Sequence, residues 1–266
     1  MDLVSIIGLV GGIASLIVAI MLEHAHIVGS GYFNIPGLVI IGFGSLFAAS
    51  MCYLPEHVKK LPTYCKLVFV HPHYEPGEII EQMIEFAQKA RREGLLSLEA
   101  DLEKIHNPFF KKGLQLVVDG IDPALIRAVL ETDTAGMEER HKVGESYLMA
   151  IGGIAPTMGI LGAIMGLAGA LAQMGGGDIM KTVNSLAIAF IASFYGVAIA
   201  NLVFIPMSTK LGTLNKEEIF VREITITGVL SIQAGDNPRI VEERLRAFFP
   251  PGGFPVKAKE GAAPAK

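Results

Sequence analysis

Two long stretches of this chain carry no charge at all. Met149–Met174 and Thr182–Met207 contain no Asp, Glu, Lys or Arg, and a short glycine-rich turn joins them. A run of roughly 18 apolar residues is enough to cross ~30 Å of hydrocarbon. A helix of that length in water would show a polar face, and neither stretch has one. Leu3–Leu22 and Phe33–Tyr53 repeat the pattern nearer the N-terminus, with the polar loop Glu23–Tyr32 between them. The pattern predicts an all-α membrane protein with four transmembrane helices. Between the second and third spans it changes character. Glu78–Arg92 sets Ile79, Ile80, Met83, Ile84, Ala87 and Ala90 at helical spacing against a charged face. After Gly94 the stretch Leu95–Glu103 resumes a helical pattern, and Asn107-Pro108 breaks it. Phe109–Val118 and Pro123–His141 follow as further helices, so the insert reads as a compact helical domain. Beyond Met207, a mixed helix is expected over Leu211–Gln233 and an amphipathic one over Pro238–Phe248. The Pro-, Gly-, Ala- and Lys-rich tail from Pro250 is expected to be disordered.

The third and fourth spans hold features that a plain anchor does not need. Pro156 lacks an N–H and crowds the preceding turn, so a kink is expected there. Gly159, Gly162, Gly166 and Gly169 lie along one side of the helix and let another backbone approach closely. The fourth span carries Asn184, Ser185, Ser193, Tyr195 and Asn201, then Pro206. Polar groups at bilayer depth usually face protein or a wet path. The hairpin therefore reads as a packed wall. On spacing alone, a close-packed bundle with no transport role fits equally well.

The boundaries drawn from the pattern are 1–54 for the first two spans, 55–148 for the helical insert, 149–207 for the second pair, and 208–266 for the C-terminal helices and tail. No Lys or Arg precedes Lys59, while Lys59, Lys60 and Lys66 follow the second span and Lys210 and Lys216 the fourth. The bias of basic residues towards the cytoplasm puts both termini and the insert inside the cell.

Composition fits this picture: 51% of the residues are hydrophobic and the mean hydropathy is +0.48, too apolar for an ordinary soluble domain. A net charge of −4 gives no footprint for nucleic acid. Cys52 and Cys65 form no framework, and the scattered histidines have no ligand set beside them, so no metal or cofactor is expected. No nucleophile–base pair and no phosphate loop appears, which argues against an enzyme. Nor does any span contain an Asp, Glu or His. Proton relays generally use such groups. If this chain lines a proton path, a partner helix must supply the acid.

Several stretches together resemble the MotA/PomA family of flagellar stator proteins. These are Ala90-Arg91-Arg92-Glu93-Gly94-Leu95-Leu96-Ser97-Leu98-Glu99, Val118-Asp119-Gly120, Met137-Glu138-Glu139-Arg140-His141, Ala155-Pro156-Thr157-Met158-Gly159-Ile160-Leu161-Gly162, and Gly228-Val229-Leu230-Ser231-Ile232-Gln233 with Asn237-Pro238-Arg239. The resemblance covers about residues 1–250. It implies a homopentameric ring around two copies of a single-span MotB-type partner in the bacterial inner membrane. The partner carries the proton-accepting Asp, and the cytoplasmic insert pushes the rotor protein FliG. It assigns Pro156 and Pro206 to ion flow and conformational coupling, and Arg91 and Glu99 to the rotor contact. Without the surrounding signature, that charged pair would read as a solvated helix face, where surface charges contribute about 0–1 kcal/mol. Sodium-driven members of the family resemble one another in having Thr where this chain has Ala163 and Ser193. A hydroxyl can replace part of a sodium hydration shell and a methyl cannot, so Ala163 points to protons, while Ser193 keeps a hydroxyl and decides nothing. The rival readings are an ExbB/TolQ-type energiser of outer-membrane transport, which resembles a three-span layout, and a membrane scaffold that conducts nothing.

Overall fold

The structure, a computed structural model, describes residues 2–22, 35–71, 76–174 and 179–254. The loop expected over Glu23–Tyr32, part of the glycine-rich turn, and the tail after residue 254 lie outside those residues. Every regular element among the described residues is a helix. In chain order they are α1 (Leu3–Leu22), α2 (Ile35–Ser50), α3 (Pro55–Val58), α4 (Leu61–Phe69), α5 (Pro76–Glu93), a 3₁₀ helix (Leu95–Lys104), α6 (Pro108–Val118), α7 (Pro123–Met174), α8 (Ile179–Ile199), a π-helical turn (Ala200–Phe204), α9 (Ile205–Gln233) and α10 (Pro238–Arg246).

Contacts divide the chain into two compact units, one of residues 1–72 with 140–214 and the other of 73–139 with 215–266. The first unit holds the apolar helices. By length and composition, α1, α7 and the run from α8 through α9 can each cross a membrane, while α2 is a shorter apolar helix. Sixteen residues of α2 span ~24 Å at 1.5 Å per residue. The expected span Phe33–Tyr53 is thus trimmed at its C-terminal end, where Met51, Cys52 and Tyr53 turn away. The expected helices Pro123–His141 and Met149–Met174 are one helix, α7, which runs on through Pro156. Hydropathy changes at residue 149, but nothing there breaks the backbone ladder.

In this unit α2 packs on α7 and α8, burying Gly37, Ile41, Ser45 and Ala49, with Ile41 against Ala155 and Ala192 and Ala49 against Tyr147 and Ile151. Tyr147 is fully buried beneath α2, with its hydroxyl 2.6 Å from Ser50 Oγ and its ring 4.8 Å from that of Tyr53. At the start of α1, Asp2 accepts the Val4 and Ser5 amides and caps the helix. Its carboxylate also meets Lys210 Nζ at 2.7 Å, and its own amide donates to Phe69 O at 2.9 Å. Lys210 and the Ser5 hydroxyl hold this carboxyl well below the usual carboxylate range. Three distant segments, the entry to α1, the end of α4 and the start of α9, are fastened at one point.

The second unit is built around one hydrophobic core. Ile80, Met83, Phe110, Leu114, Leu130 and Ile224 are fully buried in it. Asn107 caps α6 by accepting the Phe109 and Phe110 amides at 3.0 Å each, with Pro108 at the first helical position. Arg222 on α9 pairs with Glu218 at 3.0 Å and Asp133 at 3.4 Å and lies 4.4 Å over the Phe109 ring. Lys112 reaches the same Asp133 at 2.6 Å. This network ties α6, α7 and α9 within the unit.

The 3₁₀ helix was expected only as a further helical segment. Gly94 breaks α5 with φ +85°, a left-handed conformation that glycine adopts without a Cβ penalty. Asp101 then clasps the 3₁₀ helix to α5 through Lys89, and Lys104 joins it at 2.5 Å. These lysines hold the Asp101 carboxyl at about 2. A carboxyl with a folded-state value below its unfolded one stabilises above the unfolded value and loses that contribution as pH falls. The clasp is therefore expected to persist down to pH ~4 and to be lost only as pH falls through about 2. Asp101→Asn should loosen it at neutral pH, seen as faster amide hydrogen exchange across residues 95–104 with α6 unchanged.

Candidate functional site

The site begins with α7 and α8, antiparallel neighbours that touch backbone to backbone. Gly159 lies against Ser193 and Gly196: a methyl added to it would sit 3.0 Å from Ala192 O and 3.2 Å from Ser193 Cα. Gly196 is tighter still, because its added methyl would meet Ala155 O at 2.6 Å and Pro156 Cα at 3.2 Å. Gly162 faces Ala192, and Gly166 faces Ser185 O and Ala189 N at 2.8 and 2.9 Å from the corresponding added methyls. At Gly169 the nearest atoms are 3.7 Å away, so a methyl would fit there. Three of the four expected packing glycines are thus required by space, and the fourth is not.

Sequence reading missed the matching surface on α8. Ser185, Ala189, Ala192 and Gly196 recur at intervals of four, three and four. This small-residue row faces the glycine row of α7. Its spacing was readable, but alanines and serines in an apolar segment draw less notice than glycines.

Pro156 is half-buried at this seam, one turn from Gly159. Ser193 is also half-buried, and its hydroxyl has two weak options, Gly159 O on α7 and Ala189 O on its own helix, each 3.4 Å away. A hydroxyl held this loosely can turn to another acceptor. Ala163 is half-buried one position past Gly162, so it points about 100° away from the packed row. The structure thus brings Pro156, Gly159 and Ser193 together.

Pro206 stands apart from them, exposed in the first turn of α9. Just before it the ladder widens: Ile205 donates to Ala200 O, five residues back. Proline has no N–H to continue a four-residue ladder and its ring crowds the preceding turn, which accounts for a π turn at this place. Gly152 on α7 makes room for that turn, since its added methyl would lie 2.9 Å from Ile205 Cγ1 and 3.3 Å from Phe204 Cβ. Gly12 on α1 similarly faces Leu202.

Arg91 and Glu99 belong to the other unit and are both exposed. Arg91 is in the last turn of α5 and Glu99 is on the 3₁₀ helix, with the Gly94 turn between them. Leu96 between them is 73% exposed, an uncommon placement for a leucine on a charged surface. The Asp101 clasp and the buried Leu98 and Leu102 fix the helix that presents them. Among the described residues no His, Cys, Asp or Glu cluster could hold a metal ion.

A close-packed seam of long apolar helices in one unit and an exposed charged edge in the other define a helical membrane protein, and its relatives are specific within that class. Residues 101–224 match the MotA/TolQ/ExbB proton channel family. Motility protein A of Borreliella burgdorferi is 40% identical over 252 residues, 94% of this chain and 95% of that protein. Among solved structures, the C. jejuni MotAB structure superposes with a TM-score of 0.89 at 29% identity, covering 97% of this chain and 99% of that one. The flagellar MotAB stator complex of Bacillus subtilis gives 0.85 at 33% identity, covering 93% and 96%. The chain belongs to the motility protein A family, the MotA/PomA branch of these proton channels.

The α7–α8 seam has no slack at Gly196. Gly196→Ala should force the helices apart, an overpacking cost of about 1–3 kcal/mol. Gly169→Ala should be neutral. Thermal unfolding of the purified protein checks both, with a large loss expected only for Gly196→Ala.

Proposed function

We propose that this chain is the ring-forming stator subunit of a bacterial flagellar motor. Five copies surround a MotB-type partner in the inner membrane, and protons passing between ring and partner drive the ring, whose cytoplasmic unit pushes the rotor protein FliG. The observation that carries this reading is the pairing of a close-packed α7–α8 wall with four apolar segments that contain no acid. Such a wall cannot relay protons alone, and a partner helix bearing one carboxylate completes it. The printed names of the relatives and solved structures, motility protein A and MotAB, supply the motor context. The family is one of proton channels, not of enzymes.

Orientation rests on charge and on one contact. The Asp2–Lys210 ion pair fastens the entry of α1 to the start of α9, so these two ends lie on the same side of the membrane. With Lys59, Lys60 and Lys66 after α2, the positive-inside bias puts that side in the cytoplasm. Arg91 at the end of α5 and Glu99 on the clasped 3₁₀ helix, both exposed, are the rotor contact in this reading. Pro156 and Pro206 couple ion passage to helix movement, one at the seam and one at a ladder defect.

Expressed with its own partner in a motile strain lacking stators, the chain should support swimming that survives sodium removal and stops with a protonophore. Swimming that stops without sodium would overturn the proton assignment and leave the stator role. In the same strain Ala163→Thr should slow proton-driven swimming, and unchanged speed would remove Ala163 from the ion path.

Arg91→Glu separates coupling from conduction. It should cut swimming speed severalfold while proton flux in vesicles and the amount of complex in the membrane stay unchanged. Loss of flux would place Arg91 in the ring's integrity and not at the rotor.

A further inference from the structure

Helix α2 has two faces with the same spacing. Gly37, Ile41, Ser45 and Ala49 are buried against the rest of the unit. Ile35, Val39, Phe43, Phe47 and Met51 also recur every fourth residue, and all are exposed, Met51 at 90%. The Phe43 and Phe47 rings stack at 6.1 Å, which makes this row a continuous apolar strip. At its end the chain turns through exposed Leu54 into α3 and α4. Helix α4 is itself fixed: Val68 is buried with Leu148 and Met207, and Tyr64 and Cys65 pack beside them.

The outward side of this elbow presents Lys59, Lys60 and Lys66, all exposed. Among the described residues none of the three pairs with a carboxylate. The nearby Lys210 of the same unit does pair, with Asp2. The elbow therefore joins an exposed apolar strip to three cations that form no ion pair among the described residues, with Glu56 the one carboxylate beside them on α3, at the end of a helix of ~24 Å.

We propose that this elbow is a binding site for an anionic phospholipid of the cytoplasmic leaflet. Its acyl chain lies along Val39, Phe43, Phe47 and Met51, and its phosphate is held by Lys59, Lys60 and Lys66. A helix shorter than the ~30 Å hydrocarbon core draws the membrane surface towards its ends, and flanking lysines reach out to the phosphates. A second copy of this chain is the competing occupant. It would have to bury three lysines that lack carboxylate partners, which is costly. A phosphodiester supplies the missing charge in place. The proposal does not rest on the motor reading and would hold for whatever the ring drives.

The chain contains no tryptophan, which gives the test its probe. Phe47→Trp puts one on the exposed strip, with the unsubstituted protein as the blank. The protein, purified with its partner, is reconstituted in vesicles of equal phosphatidylcholine and phosphatidylglycerol, with bromine on the acyl chains of one lipid or the other. Fluorescence quenching should favour brominated phosphatidylglycerol by about fivefold or more, the factor that a single lysine contributes near an anionic surface. Lys59→Gln, Lys60→Gln and Lys66→Gln together should abolish that preference and leave quenching equal for both lipids. Equal quenching before these substitutions overturns the proposal, as does a preference that survives them. Quenching by neither lipid means that protein covers the strip and also overturns it. If inorganic phosphate removes the preference at matched ionic strength, the lysines bind free anions and the lipid assignment falls.

Discussion

Two helices in hydrocarbon gain nothing by hiding apolar surface from each other, because lipid tails are as apolar as leucine. What holds α7 to α8 is close van der Waals contact, and that requires backbones near enough to touch. Gly159 and Gly196 meet at the place where this requirement is strictest. The rest of the membrane unit follows from it. Small residues must run along both helices, so neither seam can hold a bulky polar relay. Ser193, the one hydroxyl at the closest approach, is left with carbonyls at 3.4 Å and no better partner. Helix α1, which has no buried residue, rests on α4 and the π turn. The unit is a tight hairpin with looser helices laid against it.

The second unit obeys the opposite rule. There water makes hydrophobic burial favourable, and a core of Phe110, Leu114, Leu130 and Ile224 forms in the usual way. Charge does the fastening that small residues do elsewhere. Asp133 gathers Lys112 and Arg222, and Asp101 gathers Lys89 and Lys104. The second group holds the edge that carries Arg91 and Glu99, so these two charges stand on a fixed support and not on a loose loop.

Much of this was legible in the sequence because apolar and charged patterns are local. The bounds of α1 matched the expected Leu3–Leu22, and the stripe from Ile79 to Ala90 gave α5. What escaped was non-local or depended on backbone detail. The join of two expected helices into α7 was hidden because hydropathy rises sharply at residue 149 while helix propensity does not change. The short helices α3 and α4 fall below the window that periodicity can read. The Asp133–Arg222 pair spans 89 positions, beyond any spacing rule. The π turn needed Pro206 and its neighbours in three dimensions, although a proline inside an apolar run signalled that some ladder defect must occur.

The geometry of the seam also bears on the choice of ion. A sodium ion that sheds water needs several oxygens arranged around it, whereas a proton needs only a chain of hydrogen bonds. Among the described residues, Ser185, Ser193 and Thr157 bring side-chain oxygens near the seam. Thr157 Oγ1 donates to Ile154 O at 2.7 Å and is exposed, and Ser193 is weakly engaged. Ala163, on a neighbouring face of α7, adds a methyl where an oxygen would be needed to build a shell. Under the proposed function, hydroxyls spread along separate helices, Thr157 on α7 and Ser185 and Ser193 on α8, can pass hydrogen bonds to a partner's carboxylate.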